Sequence, residues 1–391
     1  VSSFDAVFED ARVVTPSGVI ERGWVGVSGG RIAAIEAGDV PDSASAASVH
    51  RLDGAWLGPG FIDVHVHGSD GVDVMTTDEE GMRNLARFFA RHGVTSFLVG
   101  TYTLQRENIL ATLQLVKKVG RRVEGGANIL GVYMEGPFLN PEKKGAHREK
   151  LLRAIDREEV TEYLDTGVVS ALVVAPELPD ADWLIHELVR RGITAVAGHT
   201  NATYSQIEHG MKQGVTSITH TFNGMRGIHH REPGAAGAAL LLDDLACELI
   251  ADGMHIAPEL FRLFWRMKGA DKIALITDAN QAGGLPDGDY HSGDRDIVVK
   301  DGVGRLPDGT ISSSAKTYDY DFALFCKYTG ASFDEAWPAA SGTPARIAGV
   351  YDSKGSIEVG KDADFAVLSD DGAVIGTAVN GEWLPVDGSA S

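Results

Sequence analysis

The chain has 391 residues, 43% of them hydrophobic, enough for one large α/β domain and a smaller one. Lys plus Arg number 35 against 55 Asp plus Glu, and the resulting net charge of −20 repels nucleic acid and anionic membrane surfaces. No apolar stretch approaches the roughly 20 residues that span a bilayer, and Val1 to Phe8 lacks the basic-then-apolar pattern of a secretion signal.

Residues 1–57 read as short strands broken by Gly and Pro turns, at 11–14, 24–27 and 31–35, with Ser43 to Ser48 as a surface loop. The C-terminal segment has the same texture, in 355–368 and 373–376. Neither end can bury a core alone, so the expectation is one discontinuous β-sandwich domain from 1–57 plus 350–391. Between them, over 58–349, apolar strand candidates recur at 61–67, 95–100, 129–135, 169–175, 193–199, 217–221, 247–252 and 273–278.

Helical patterns separate most of these strands. Residues 78–92 place Met82, Leu85, Phe88 and Phe89 on one face, with Thr77 and Glu80 spaced as a capping box and Gly93 as a stop. Residues 181–191 end at Gly192, and 258–268 end at Gly269. Eight βα units predict an α/β fold of the TIM-like (β/α)₈ barrel type. A doubly wound open sheet is the alternative, but no Gly-x-Gly-x-x-Gly turn follows the first strand. Cys247 and Cys326 lie in apolar runs, which suits buried free thiols in a reducing cytoplasm better than a disulfide.

The chemistry lies at the ends of the strands. In Phe61-Ile-Asp-Val-His-Val-His-Gly68, His65 and His67 are two apart, and alternate strand residues share a face, so both imidazoles can reach one point. Glu135, His199, His220 and Asp278 each fall at the C-terminal end of a later strand. Singly, each could be a satisfied core residue, although Glu135 would be costly if buried without a cation. Together, five strands deliver ligand-type residues to the face where barrels build active sites, which points to a divalent-metal centre. Imidazole and carboxylate donors suit Zn²⁺, Fe²⁺, Mn²⁺ or Co²⁺. The loop Gly227-Ile-His-His-Arg-Glu-Pro-Gly234 adds a basic cluster whose Arg231 fork matches phosphate oxygens; a solvated loop is the plainer explanation.

These strand-end residues resemble the amidohydrolase superfamily. Within it, Tyr133-Met-Glu-Gly-Pro-Phe138, Lys144-Gly-Ala-His147, His220-Thr-Phe-Asn223, Arg231-Glu-Pro-Gly234 and Ala251-Asp-Gly-Met-His255 resemble the N-acetylglucosamine-6-phosphate deacetylase family, over nearly the whole chain. The resemblance implies hydrolysis of a sugar-phosphate N-acetyl group to acetate and glucosamine 6-phosphate by a homodimer carrying one or two divalent ions per subunit, Zn²⁺ foremost. It implies that Glu135, His199 and His220 hold the main ion and that His65 and His67 help hold a second. Asp278 would be general base and then general acid, with His147 supporting the oxyanion. Substrate contacts are implied at Ala146, His147, Asn223, Gly224, Arg231, Asp252, His255, Ile311, Ser312 and Ser313. One segment departs from the pattern: Ile311-Ser-Ser-Ser-Ala-Lys-Thr-Tyr-Asp-Tyr320 stands where that family has a Leu-Ser-Gly-Ser-type stretch. It leaves open the galactosamine epimer or another N-acyl group as substrate. Another amidohydrolase, acting on a cyclic amide, and a non-catalytic sugar-phosphate sensor are the competing functions; a sensor would have no need of Asp278.

Overall fold

The computed structural model describes residues 3–292 and 295–386. Its centre is a sheet of eight parallel strands: β1 (Phe61–Val66), β2 (Val94–Thr101), β3 (Asn128–Met134), β4 (Val169–Val174), β5 (Thr194–Ala197), β6 (Val215–Ile218), β7 (Ala246–Ile250) and β8 (Ile273–Ile276). Each pairs with its sequence neighbour from β1 round to β8. β8 returns to β1, where the Asp278 backbone N–H donates to His65 O at 2.9 Å and Thr277 Oγ1 donates to Asp63 Oδ2 at 2.6 Å. All eight positions of β2 and all seven of β3 are buried, as strands covered on both faces must be. The (β/α)₈ expectation holds.

The helices cover the barrel where the apolar periodicity placed them, over Glu79–Arg91, Ala181–Arg190 and Phe261–Lys268. The first begins differently from expectation. Asp78, not Thr77, is its cap, accepting from Gly81 N at 2.9 Å. Thr77 is held in the preceding turn, its N–H donating to Asp73 O at 3.0 Å, so the helix starts one residue later.

The two ends of the chain share one sheet. Ser3–Thr15, Gly18–Ser28, Arg31–Ala37 and Trp56–Pro59 join Phe365–Leu368, Val374–Val379 and Glu382–Pro385. Phe8 and Trp383 sit four strand spacings apart along this sheet, about 19 Å if it were flat, yet their rings are 5.7 Å apart. The sheet therefore folds over onto itself as a sandwich, with Phe8, Val25, Leu57 and Phe365 in its core. The segment expected as a loop at Ser43 to Ser48 is instead largely strand: Ser45–Arg51 pairs in parallel with the first strand. It alternates exposed and half-buried positions without large apolar side chains ahead of Val49, so it lacks the usual strand signal.

After β8 the chain forms a four-stranded antiparallel sheet from Gly288–Ser292, Arg295–Lys300, Val303–Arg305 and Ile311–Ser314. The Ser314 N–H donates to Asp278 O at 3.3 Å, docking the last of these strands beside the barrel mouth. Among the described residues, no helix is long and apolar enough to cross a membrane.

Candidate active site

The strand-end residues converge at the C-terminal mouth of the barrel. β1 supplies His65 and, one residue beyond its end, His67; Glu135 follows β3, His199 lies just past β5, His220 past β6 and Asp278 past β8. His199, His220 and Asp278 have φ values of +43°, +22° and +48°. Side chains rarely tolerate that region, so the backbone is strained where the chain turns these groups inward.

Glu135, His199 and His220 form one donor group. Glu135 Oε1 lies 3.0 Å from His199 Nε2 and 2.9 Å from His220 Nε2, and the two nitrogens are 3.1 Å apart. The far edges of the rings identify the tautomer. His199 Nδ1 is 2.7 Å from Lys143 O, and His220 Nδ1 is 3.1 Å from Asn223 O. A carbonyl oxygen only accepts, so each Nδ1 carries a hydrogen and Nε2 is the ring atom that faces the carboxylate. Two imidazole nitrogens and a carboxylate oxygen gathered at one buried point call for a shared positive charge, from protons or a metal ion. The nitrogen and oxygen donor set therefore fits a divalent ion.

His65, His67 and Asp278 form a second group beside the first. His67 Nε2 is 3.1 Å from Asp278 Oδ1 and 3.2 Å from His65 Nε2, while His67 Nδ1 donates to Gly100 O at 2.8 Å. Burial of His67 disfavours its charged form, but hydrogen bonds to Asp278 and Glu135 outweigh it and raise the imidazole to about 9. The carboxylates thus demand positive charge here, which a proton or a divalent ion can supply.

His147 is different. Its Nδ1 accepts from Thr103 N at 3.4 Å, leaving the hydrogen on Nε2, which points at Glu135 Oε2 at 3.2 Å. Burial, outweighing the nearby Glu135, pushes this imidazole down to about 4, so at neutral pH it is an uncharged donor.

A cavity of about 540 Å³ opens onto both groups. Ala146, His147, Asn223 and Gly224 line it on one side, and His255, Ile311, Ser312 and Ser313 line it as well. Gly224 has φ +58°, and a Cβ there would come within 3.0 Å of His199 Nδ1, so the loop after β6 needs glycine to pass the ligand. Two residues expected at the substrate do not line this cavity. Asp252 is buried below the cavity wall, where Oδ2 accepts from His255 Nδ1 at 2.7 Å and Oδ1 accepts from Met254 N and His255 N. It holds His255 in place, and although burial opposes charge on His255, Asp252 outweighs it and raises that imidazole. Arg231 is exposed and does not line the cavity.

Other residues at the site were not singled out from the sequence. Arg148 lines the cavity next to His147. Asp63, Tyr133, Thr219 and Glu248 form the buried polar floor around His65. The signal for Glu248 was available: a carboxylate in the middle of Ala246-Cys-Glu-Leu-Ile250, an otherwise apolar run.

An eight-stranded barrel with two histidine–carboxylate donor groups at its C-terminal mouth defines a metal-dependent hydrolase of the amidohydrolase type. The chain belongs to the amidohydrolase family, which it matches over residues 56–384. More particularly, it is 37% identical to the N-acetylglucosamine-6-phosphate deacetylase of Vibrio furnissii, over 91% of this chain and 88% of that one. It is 35% identical to the N-acetylgalactosamine-6-phosphate deacetylase of Escherichia coli O157:H7, over 93% and 94%. A mutant N-acetyl-D-glucosamine-6-phosphate deacetylase from Mycobacterium smegmatis, solved in complex with N-acetyl-D-glucosamine-6-phosphate, superposes with a TM-score of 0.88 at 33% identity, covering 97% of this chain and 98% of the other.

Proposed function

We propose that the protein hydrolyses the N-acetyl group of N-acetylglucosamine 6-phosphate to acetate and glucosamine 6-phosphate. The observation that carries this is the placement of Asp278, which faces the cavity beside the Glu135, His199 and His220 donor group. Those three residues would hold the main divalent ion, and His65 and His67 with Asp278 a second; Zn²⁺ is the first choice, with Fe²⁺, Mn²⁺ and Co²⁺ compatible with the same donors. When bound, the ion supplies Lewis acidity to the amide carbonyl and lowers the pKa of water.

The protein's own groups carry the protons. Asp278 accepts one from the water that adds to the carbonyl carbon and returns it to the amide nitrogen, so that the C–N bond breaks with the amine leaving neutral. His147, neutral and protonated on Nε2, donates to the carbonyl oxygen as negative charge develops there. Arg148 and His255 provide positive charge at the cavity, against the negative field of the whole chain.

We assign the protein as a homodimer. The exposed apolar side chains of Ile228, Leu241, Met254, Leu263 and Met267 lie on the loop and helices around β6 and β7 and support an interface there. The free, buried thiols of Cys247 and Cys326 suit a cytoplasmic setting.

A second substrate, the galactosamine epimer, is favoured by one observation: Ile311, Ser312 and Ser313, from the segment that departs from the expected pattern, line the cavity. Acetate release by the metal-reconstituted protein from N-acetylglucosamine 6-phosphate, its galactosamine epimer and unphosphorylated N-acetylglucosamine tests both. Preference for the first supports the assignment, preference for the epimer moves it, and no release from any with metal bound refutes it.

A further inference from the structure

At the Nδ1 edge of His65, opposite the Nε2 that faces His67 and Asp278, β3, β6 and β7 bring four polar side chains together inside the barrel. Tyr133, Ser217, Thr219 and Glu248 are all fully buried. Glu248 Oε2 accepts from Tyr133 Oη at 2.8 Å, and Oε1 accepts from Ser217 Oγ at 3.1 Å. The Tyr133 ring stacks on His65, with centroids 4.3 Å apart and planes 29° apart. His65 Nδ1 lies 3.0 Å from Thr219 Oγ1, within hydrogen-bond distance, and 3.7 Å from Glu248 Oε2, close enough to feel its charge.

Two hydroxyl donors satisfy the carboxylate's oxygens but do not neutralise its charge. Among the described residues, the basic group within 4.0 Å of Glu248 is His65 alone. A buried carboxylate is costly without a compensating cation. A carboxylate behind an imidazole raises the basicity of its far nitrogen and helps fix the ring's orientation, the usual support for a metal-bound histidine.

We propose that Glu248 is a positioning residue for a second cation: it holds the Tyr133 ring that stacks on His65 and lies beside the His65 Nδ1 edge, and so supports an ion held by His65, His67 and Asp278. This rests on the metal assignment above. It also separates the two donor groups, because His199 and His220 are backed by backbone carbonyls and owe nothing to Glu248.

The test is metal binding, with no substrate present. Co²⁺ is titrated into the metal-free parent, Glu248→Gln, Tyr133→Phe and His67→Asn, followed by visible absorption, with stoichiometry from elemental analysis. His67→Asn removes a donor from the second group alone and so assigns the two binding phases. The parent is expected to take two ions. Glu248→Gln is expected to bind the ion of the His65 group 10- to 100-fold more weakly, leaving the Glu135 group within threefold. Tyr133→Phe, which removes one hydrogen bond to Glu248 and keeps the stacked ring, should show a smaller loss at the same ion. Parent affinity at both sites in Glu248→Gln, or equal loss at both, overturns the proposal, as does a parent that takes only one ion. Should Glu248→Gln not fold, unchanged second-ion affinity in Tyr133→Phe overturns it equally. A parent that binds no divalent ion refutes the metal assignment itself. Two ions with Glu248→Gln unaffected refute only the role of Glu248.

Discussion

Replacing Asp278 with Asn tests the chemical assignment most directly. The carboxamide keeps the shape of the side chain and an oxygen that can face the second donor group, but it cannot accept a proton from water at neutral pH. The main donor group, Glu135, His199 and His220, does not include residue 278, so one divalent ion should bind as in the parent. His147, Asn223 and His255, which line the cavity, are also untouched. The loss should therefore fall on kcat. A positioned acid–base group contributes about 10²- to 10⁴-fold, or roughly 3–5 kcal/mol of activation free energy. Since Asp278 is assigned both proton transfers, the upper part of that range, 10³-fold or more, is expected. The assay is acetate release at saturating substrate, with metal content measured on the same sample. A variant that holds its ion, keeps KM within a fewfold and retains more than a tenth of parental turnover would show that Asp278 is not the proton carrier.

Three further outcomes follow from the geometry. Removing divalent ions with a chelator should abolish acetate release, and adding back Zn²⁺ or Co²⁺ should restore it; Glu135→Gln, which removes the carboxylate charge between His199 and His220, should not be restored. Thr277→Val removes the donor to Asp63 Oδ2 and leaves a buried carboxyl under-satisfied where β8 meets β1, costing about 1–3 kcal/mol in denaturant unfolding; no change would mean this seam contributes little. Gly58→Ala would place a Cβ 2.0 Å from the Trp337 ring, which is buried and anchored through Nε1 to Pro59 O, so overpacking should lower stability by about 1–3 kcal/mol or more; a neutral result would show that Trp337 can shift.

The barrel was legible because its strands are largely buried and rich in apolar residues, and several end beside a polar, ligand-type residue. His199, His220 and Asp278 stand out for that reason. What escaped the sequence depended on contacts between distant segments. Ser45–Arg51 is a strand only because the first strand offers it an edge, and its small polar residues carry no period of their own. Asp252 and His255 form one ion pair, so a motif containing both cannot say which of them faces the cavity. Arg231 has the right chemistry for phosphate, but it is exposed and does not line the cavity. Glu248 was hidden within a run taken as apolar, and its meaning emerges only with Tyr133 and Ser217 beside it.

His67, His199 and His220 are each gripped from behind by main-chain oxygens, those of Gly100, Lys143 and Asn223. Every amino acid has a carbonyl, so substitution at Lys143 or Asn223 need not change how His199 and His220 are aimed, provided the loop path is kept, whereas a Cβ at Gly100 would come within 3.1 Å of His67 Nδ1. The loops after β3 and β6 also carry Ala146, His147 and Asn223 to the cavity wall. Mutational drift can thus remodel which sugar is accepted while the hydrolytic machinery is inherited intact. Such a division between backbone-held chemistry and side-chain-held selectivity lets one scaffold diversify by single steps without passing through an inactive ancestor.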